Sequence, residues 1–265
     1  ISLAYKGQGG GQSSAGIELR EDGMVVLHTS VFEQGTGSYT AFVQMVGEEL
    51  GIPPNEIVVE AWDTDDGPFD SGIGASRVTR VTTPAVYEAV ITARNQLITL
   101  AQEQLGWTID ETRVIGRELV RASTGERQPW PILLKVAGRN ITTRAINVED
   151  EEAPVASFMA QIAEVSVDSE TGEIKLLRIT SAHDVGKILN PTGHQGQING
   201  GVIQASGHSL MEEIGVGNNG ATNVTNLADY KVPTTMDLPE LRTALVESED
   251  GIGPYRTKGI GEYSI

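Results

Sequence analysis

Gly16-Ile17-Glu18-Leu19-Arg20-Glu21-Asp22-Gly23-Met24-Val25-Val26-Leu27-His28 decides the fold class of this chain. Apolar and polar residues alternate on both sides of Glu21-Asp22-Gly23, and an Asp-Gly between two such runs predicts a β-hairpin. A glycine-rich loop follows, Gln34-Gly35-Thr36-Gly37-Ser38. Beyond it Phe42, Val43, Met45, Val46 and Leu50 fall on one stripe of a helix expected from about Tyr39 to Leu50, stopped by Gly51 and Pro53-Pro54. Ile57-Val58-Val59-Glu60-Ala61-Trp62 then predicts another strand.

The pattern returns later in the chain. Ala163-Glu164-Val165-Ser166-Val167 and Ile174-Lys175-Leu176-Leu177-Arg178-Ile179 flank Ser169-Glu170-Thr171-Gly172. A second glycine-rich segment leads into a helix expected over about Gln195 to Ile214. Both helices are expected to finish on a Glu-Glu pair followed by an apolar residue and a glycine (Gly51, Gly215). Between the halves, Val86, Val90, Ala93, Leu97, Leu100 and Ala101 mark a helix over Thr83 to Leu105. Glu111 to Ile146 reads as strands with turns, and Glu149-Asp150-Glu151-Glu152 as a solvated acidic linker. The expectation is an α+β class with two related lobes of mixed β-sheet packed with helices, arising by internal duplication. Its divisions are a first repeat at 1–115, connecting strands and the linker at 116–155, and a second repeat at 156–265.

The chain has 265 residues, enough for one large domain or two moderate ones. A net charge of −17 argues against nucleic acid, which is held mainly by Lys and Arg on phosphate. With no cysteine there is no disulfide, thiolate nucleophile or Cys-ligated iron–sulfur cluster within these residues. His28, His183, His194 and His208 lack metal-ligand spacing, so no metal ligand is assigned. No apolar run approaches the length of a membrane span. The chain starts on Ile1, directly in a strand-like stretch, and stops just after residue 262, so it is expected to be part of a longer polypeptide.

Glycines cluster ahead of helices, where free N–H groups and the helix dipole favour anions. Gly35-Thr36-Gly37 precedes the first helix. Ser71-Gly72-Ile73-Gly74-Ala75-Ser76-Arg77 precedes the middle one, with hydroxyls and a guanidinium suited to phosphate. Gly193-His194-Gln195-Gly196-Gln197-Ile198-Asn199-Gly200-Gly201 opens the last. Neither a Walker-A motif nor a dinucleotide fingerprint occurs in its strand–loop–helix context. Near the end, Lys258-Gly259-Ile260-Gly261-Glu262 presents a carboxylate from a short glycine loop, a geometry that suits a general base. A solvated acid on a turn is the plainer reading of those residues alone.

Five blocks together resemble one family. They are Gly35 to Gln44, Ala75 to Thr79, Asn190-Pro191 with Gly196 to Gly201, Asp229 to Thr234, and Gly253 to Glu262. In that order they are similar to the C-terminal part of the molybdenum-binding domain of the xanthine dehydrogenase and aldehyde oxidase family, across nearly the whole chain. The resemblance implies a molybdopterin cofactor and oxidation of an aldehyde or N-heterocycle with oxygen from water. It makes Glu262 the catalytic base, and it implies cofactor contacts from Gly35, Thr36, Gly37, Ala75, Ser76, Arg77, Val78, Thr79 and Gln197. Many members carry glutamine where this chain has Thr36, whose reach is shorter; Gln34 is a candidate substitute.

The resemblance also implies partners: the upstream half of the same domain, flavin and iron–sulfur domains or subunits, a small-molecule substrate and a possible dimer, in a cytoplasmic protein with no nucleic-acid or membrane partner. On this reading the isolated chain is inactive. Two other classes remain open. One is a non-catalytic cofactor-binding or assembly module, and the other a hydrolase using Asp63, Asp65 and Asp66 beside Trp62.

Overall fold

The computed structural model describes residues 1–149 and 156–264. The chain forms two compact units. One comprises Gln8–Pro154 with Ile252–Thr257, and the other Ile1–Gly7, Val155–Gly251 and Lys258–Ile265. Neither unit is one continuous stretch of the chain.

In the unit built on residues 8–154, the hairpin forms where alternation places it. Strand β2 (Gly11–Leu19) pairs antiparallel with β3 (Val25–Thr29), matching Ile17 to Leu27 and Leu19 to Val25. Gly23 takes the turn's positive φ of 87°, and the Met24 N–H donates to the Asp22 carboxylate at 2.9 Å. Helix α1 (Ser38–Leu50) crosses over to β4 (Ile57–Ala61), which lies parallel to β3. With β8 (Ile141–Glu149) antiparallel to β2, the sheet order is β4-β3-β2-β8. Helix α2 (Val78–Leu105) lies against β2, β8 and α1. Ile17, Leu19 and Leu27 of the strands and Phe42, Met45, Val86, Val90 and Leu97 of the helices are all buried in this unit.

Two expectations need correcting in this unit. Helix α2 begins at Val78, not Thr83, and holds Pro84 inside its second turn. Proline favours a helix's first position, which draws a sequence reading to start the helix there. The stretch from 111 to 146 is not strands alone. After the small sheet β5 (Thr112–Ile115), β6 (Glu118–Arg121) and β7 (Arg127–Pro129), helix α3 (Trp130–Ala137) forms. It buries Trp130, Leu133 and Leu134, one helical face. In the acidic run, Glu149 ends β8 and reaches Arg80 at 3.7 Å, while 150–152 lie outside the described residues.

The other unit has a four-stranded sheet in the order β1-β9-β10-β11. β9 (Ala156–Val167) and β10 (Ile174–Gly186) form an antiparallel hairpin, and β1 (Ser2–Gly7) adds antiparallel to β9. Helix α4 (Pro191–Leu210) crosses to β11 (Glu240–Glu247), which is parallel to β10. Val185, Ile198, Val202, Ile260 and Tyr263 form the buried cluster. Strand order and sense thus match the first sheet: an antiparallel edge, a hairpin, then a parallel strand reached through a helix. Helix α4 lies four residues earlier than expected at each end. Asn190 starts it by accepting the Gly193 N–H at 2.9 Å, with Pro191 in its first turn. Glu212 and Glu213 therefore fall beyond the helix, whereas Glu48 and Glu49 lie inside α1, and the shared Glu-Glu ending does not hold.

Candidate cofactor and proton-transfer site

The Glu262 loop is an exposed tip between buried neighbours. Ile260 and Tyr263 are buried at 6% and 2% exposure, while the Glu262 side chain keeps 38%. Behind the tip, Gly201 of α4 stands so close that a Cβ there would lie 2.8 Å from the Ser264 Cβ. Ser264 also meets the His183 ring on β10 at 3.4 Å. Burial holds His183 neutral, with its pKa lowered to about 4. The Glu262 carboxylate forms an ion pair with Lys6 at the end of β1. Gln197 lies one turn before Gly201 on the same face of α4, so this unit brings Gln197 and the Glu262 loop to one side.

The remaining predicted positions belong to the other unit. Its first loop contains a group the sequence reading missed. Glu33 folds back so that its carboxylate accepts N–H groups from Gly35 at 2.8 Å, Gly37 at 3.1 Å and Tyr39 at 3.2 Å. The hydroxyls of Thr36 and Ser38 donate to it as well, both at 3.2 Å. Burial works to raise the Glu33 pKa, but the three amides and Ser38 outweigh it and leave the carboxyl below its ordinary range. An anion at the start of α1 is therefore supplied by the chain itself, through the Glu33 carboxylate. An acid a few residues ahead of a helix start is the signal that could have found it.

The second loop is shaped from beneath. Arg77 is 4% exposed, and its guanidinium donates to the carbonyls of Gly10 at 2.6 Å, Gln12 at 2.7 Å and Gly72. This guanidinium is engaged in holding the loop, where the sequence reading aimed it at phosphate. Ala75 and Ser76 take left-handed backbone with φ of 48° and 53°, costing each of order 1–3 kcal/mol. The Ala75 carbonyl accepts the Gly9 N–H at 2.8 Å. Val78 and Thr79 form the first turn of α2, which has no side-chain cap.

A Cβ added at Gly74 in one unit, or at Gly196 or Gly200 in the other, meets nothing within 4 Å, while Gly35 and Gly72 take positive φ of 93° and 79°, which glycine adopts freely. In the first turn of α4, the buried His194 Nδ1 has no hydrogen-bond partner among the described residues. The class is α+β, with glycine loops ahead of helix starts in each unit.

Comparison with known proteins agrees. Residues 1–239 match the molybdopterin cofactor-binding domain, and the chain belongs to that family. It is 31% identical over 264 residues to the putative xanthine dehydrogenase molybdenum-binding subunit XdhA of Escherichia coli (strain K12), covering 96% of this chain and 35% of the relative. It is 27% identical over 258 residues to the aldehyde oxidoreductase molybdenum-binding subunit PaoC of the same organism, covering 96% and 34%. The crystal structure of quinoline 2-oxidoreductase from Pseudomonas putida 86 superposes with a TM-score of 0.85 at 25% identity, covering 99% of this chain and 36% of that one. The chain thus spans about a third of the length of the relatives it matches.

Proposed function

We propose that this chain is the molybdopterin-binding part of a molybdenum hydroxylase that oxidises an aldehyde or N-heterocycle with oxygen from water, and that Glu262 is its base. The observation that carries the reading is the presentation of Glu262, an accessible carboxylate on a tip whose flanking residues are buried. Gly35, Thr36, Gly37, Ala75, Ser76, Arg77, Val78, Thr79 and Gln197 would hold the cofactor: the glycines by leaving room, Arg77 by shaping its loop, Gln197 by its side-chain amide. The bound cofactor supplies the redox chemistry and makes a water-derived hydroxyl acidic. Glu262 takes that proton, and the fixed backbone on either side keeps its carboxylate aimed.

The partners in this reading are the rest of the molybdenum-binding domain, flavin and iron–sulfur domains or subunits, and a second copy in a dimer, in the cytoplasm. Among the described residues no helix is long and apolar enough to cross a membrane. An internal duplication is part of this reading, supported by the matching order and sense of the two four-stranded sheets, whose edge strands β8 and β1 fall outside simple repeats at 1–115 and 156–265 joined through 116–155.

The test is made on the complete parent protein and its Glu262→Gln variant, with molybdenum and pterin content measured beside activity on a panel of aldehydes and N-heterocycles. Both proteins should carry the same cofactor load, and the variant should lose about 10²–10⁴ in kcat. A parent without molybdenum, or a variant of full activity, would sink the assignment.

A further inference from the structure

Lys258 begins the segment that ends in Glu262, and its side chain is 1% exposed. Its Nζ lies 2.5 Å from the Asp184 carboxylate and 2.9 Å from that of Asp250. Its backbone N–H donates to the Val185 carbonyl at 2.9 Å. Asp184 is fixed in turn, accepting the Ser248 hydroxyl at 2.6 Å and the Gly186 N–H at 3.1 Å. Asp184 lies near the C-terminal end of β10, and Ser248 and Asp250 just follow β11. These strands are parallel neighbours, so one buried cation ties two strand ends at the same sheet edge to the start of the loop.

A surface turn needs no such device. Withdrawing an ammonium from water is costly unless good partners surround it, and an apolar residue would hold a simple turn as well. The geometry assigns Lys258 as the positioning residue for Glu262: clamped between Asp184 and Asp250, it fixes the root of the loop, and buried Ile260 and Tyr263 carry that placement to the carboxylate. The assignment rests on Glu262 being the base. A displacement of about 1 Å at a reacting group can cost on the order of 10²-fold in rate, so a loosened root should act on turnover more than on substrate binding.

The experiment uses the complete parent enzyme and its Lys258→Met, Lys258→Arg, Asp250→Asn and Glu262→Gln variants. Cofactor content, kcat, KM and hydrogen exchange of the amides at 259–263 are measured for each. Lys258→Met and Asp250→Asn should keep wild-type molybdenum and pterin, exchange faster across 259–263, and lose about 10- to 100-fold in kcat with KM within about twofold. Lys258→Arg should recover most of both losses. Should Lys258→Met fail to fold, Asp250→Asn carries the test, because the Asp250 side chain is 64% exposed and its loss leaves the Asp184 partner in place. Unchanged exchange and kcat, or a kcat loss that merely tracks lost cofactor, overturns the assignment. A fully active Glu262→Gln overturns the base reading instead, and exchange then judges the clamp by itself.

Discussion

Two adjacent glycines in α4 should respond in opposite ways to the same methyl group. A Cβ at Gly200 meets nothing within 4 Å, whereas one at Gly201 would stand 2.8 Å from the Ser264 Cβ and 3.3 Å from its carbonyl carbon. Both sites lie inside the helix, where replacing glycine with alanine gains about 1 kcal/mol of helix propensity. Gly200→Ala should keep that gain. Gly201→Ala must also push aside the segment carrying Ser264, and overpacking of this kind costs about 1–3 kcal/mol. The two variants should therefore differ by about 1–3 kcal/mol, with Gly200→Ala the more stable.

Urea unfolding of the cofactor-free chain, followed by far-ultraviolet circular dichroism, measures the difference. Trp62, Trp107 and Trp130 all lie in the other unit, so tryptophan fluorescence supplies an internal reference. If Gly201→Ala proves as stable as Gly200→Ala, the close approach of α4 to the 262 loop is wrong, and with it the account of how that loop is backed.

Glu33→Ala should cost about 1–2 kcal/mol through loss of a helix-start acceptor. Because the folded Glu33 pKa is lowered, its contribution is full above the ordinary carboxylate range and fades as pH falls through the lowered value, so variant and wild type should converge in acid unfolding curves. His183 works in the same direction: neutral in the fold down to about pH 4, it lets the unfolded chain alone bind a proton below its ordinary value of 6.5. Stability should fall by up to about 3 kcal/mol between those values, and His183→Gln should flatten that slope in urea titrations at stepped pH. Arg77→Met removes the side-chain donor from the Gly10 and Gly72 carbonyls, while that of Gln12 keeps the Ser71 N–H at 2.9 Å, and should cost at least about 2 kcal/mol, read by tryptophan fluorescence; a change within about 0.5 kcal/mol would show that the loop does not depend on it.

The parts of the fold legible in the sequence are those governed by neighbours in the chain. Alternation around Asp22-Gly23 and around Thr171-Gly172 located both hairpins, and the stripe through Phe42, Met45 and Val46 located α1. The edge strands were less accessible, because β1 joins β9 and β8 joins β2 across more than a hundred residues and no local pattern records such pairings. Pro84 hid the start of α2, and the many glycines of α4 weakened its periodicity. In the site, Glu262 stood out because two glycines, Gly259 and Gly261, come just before it. Its ion pair with Lys6, 256 residues away, and the Asp184–Lys258 clamp belong to tertiary structure alone.

Strand β1 has a consequence for anyone dividing this protein. It begins the chain yet completes the sheet that holds β9, β10 and β11. A truncation beginning at residue 156 would strip β9 of its partner from Ala156 to Gln161 and leave that row of N–H and C=O groups open. An unpaired, partly apolar strand edge is a template for joining another chain, so such a truncation should associate edge to edge. Supplying residues 1–7 as a separate peptide should dissolve those assemblies. Any expression strategy for the Glu262 half has to bring its first strand along.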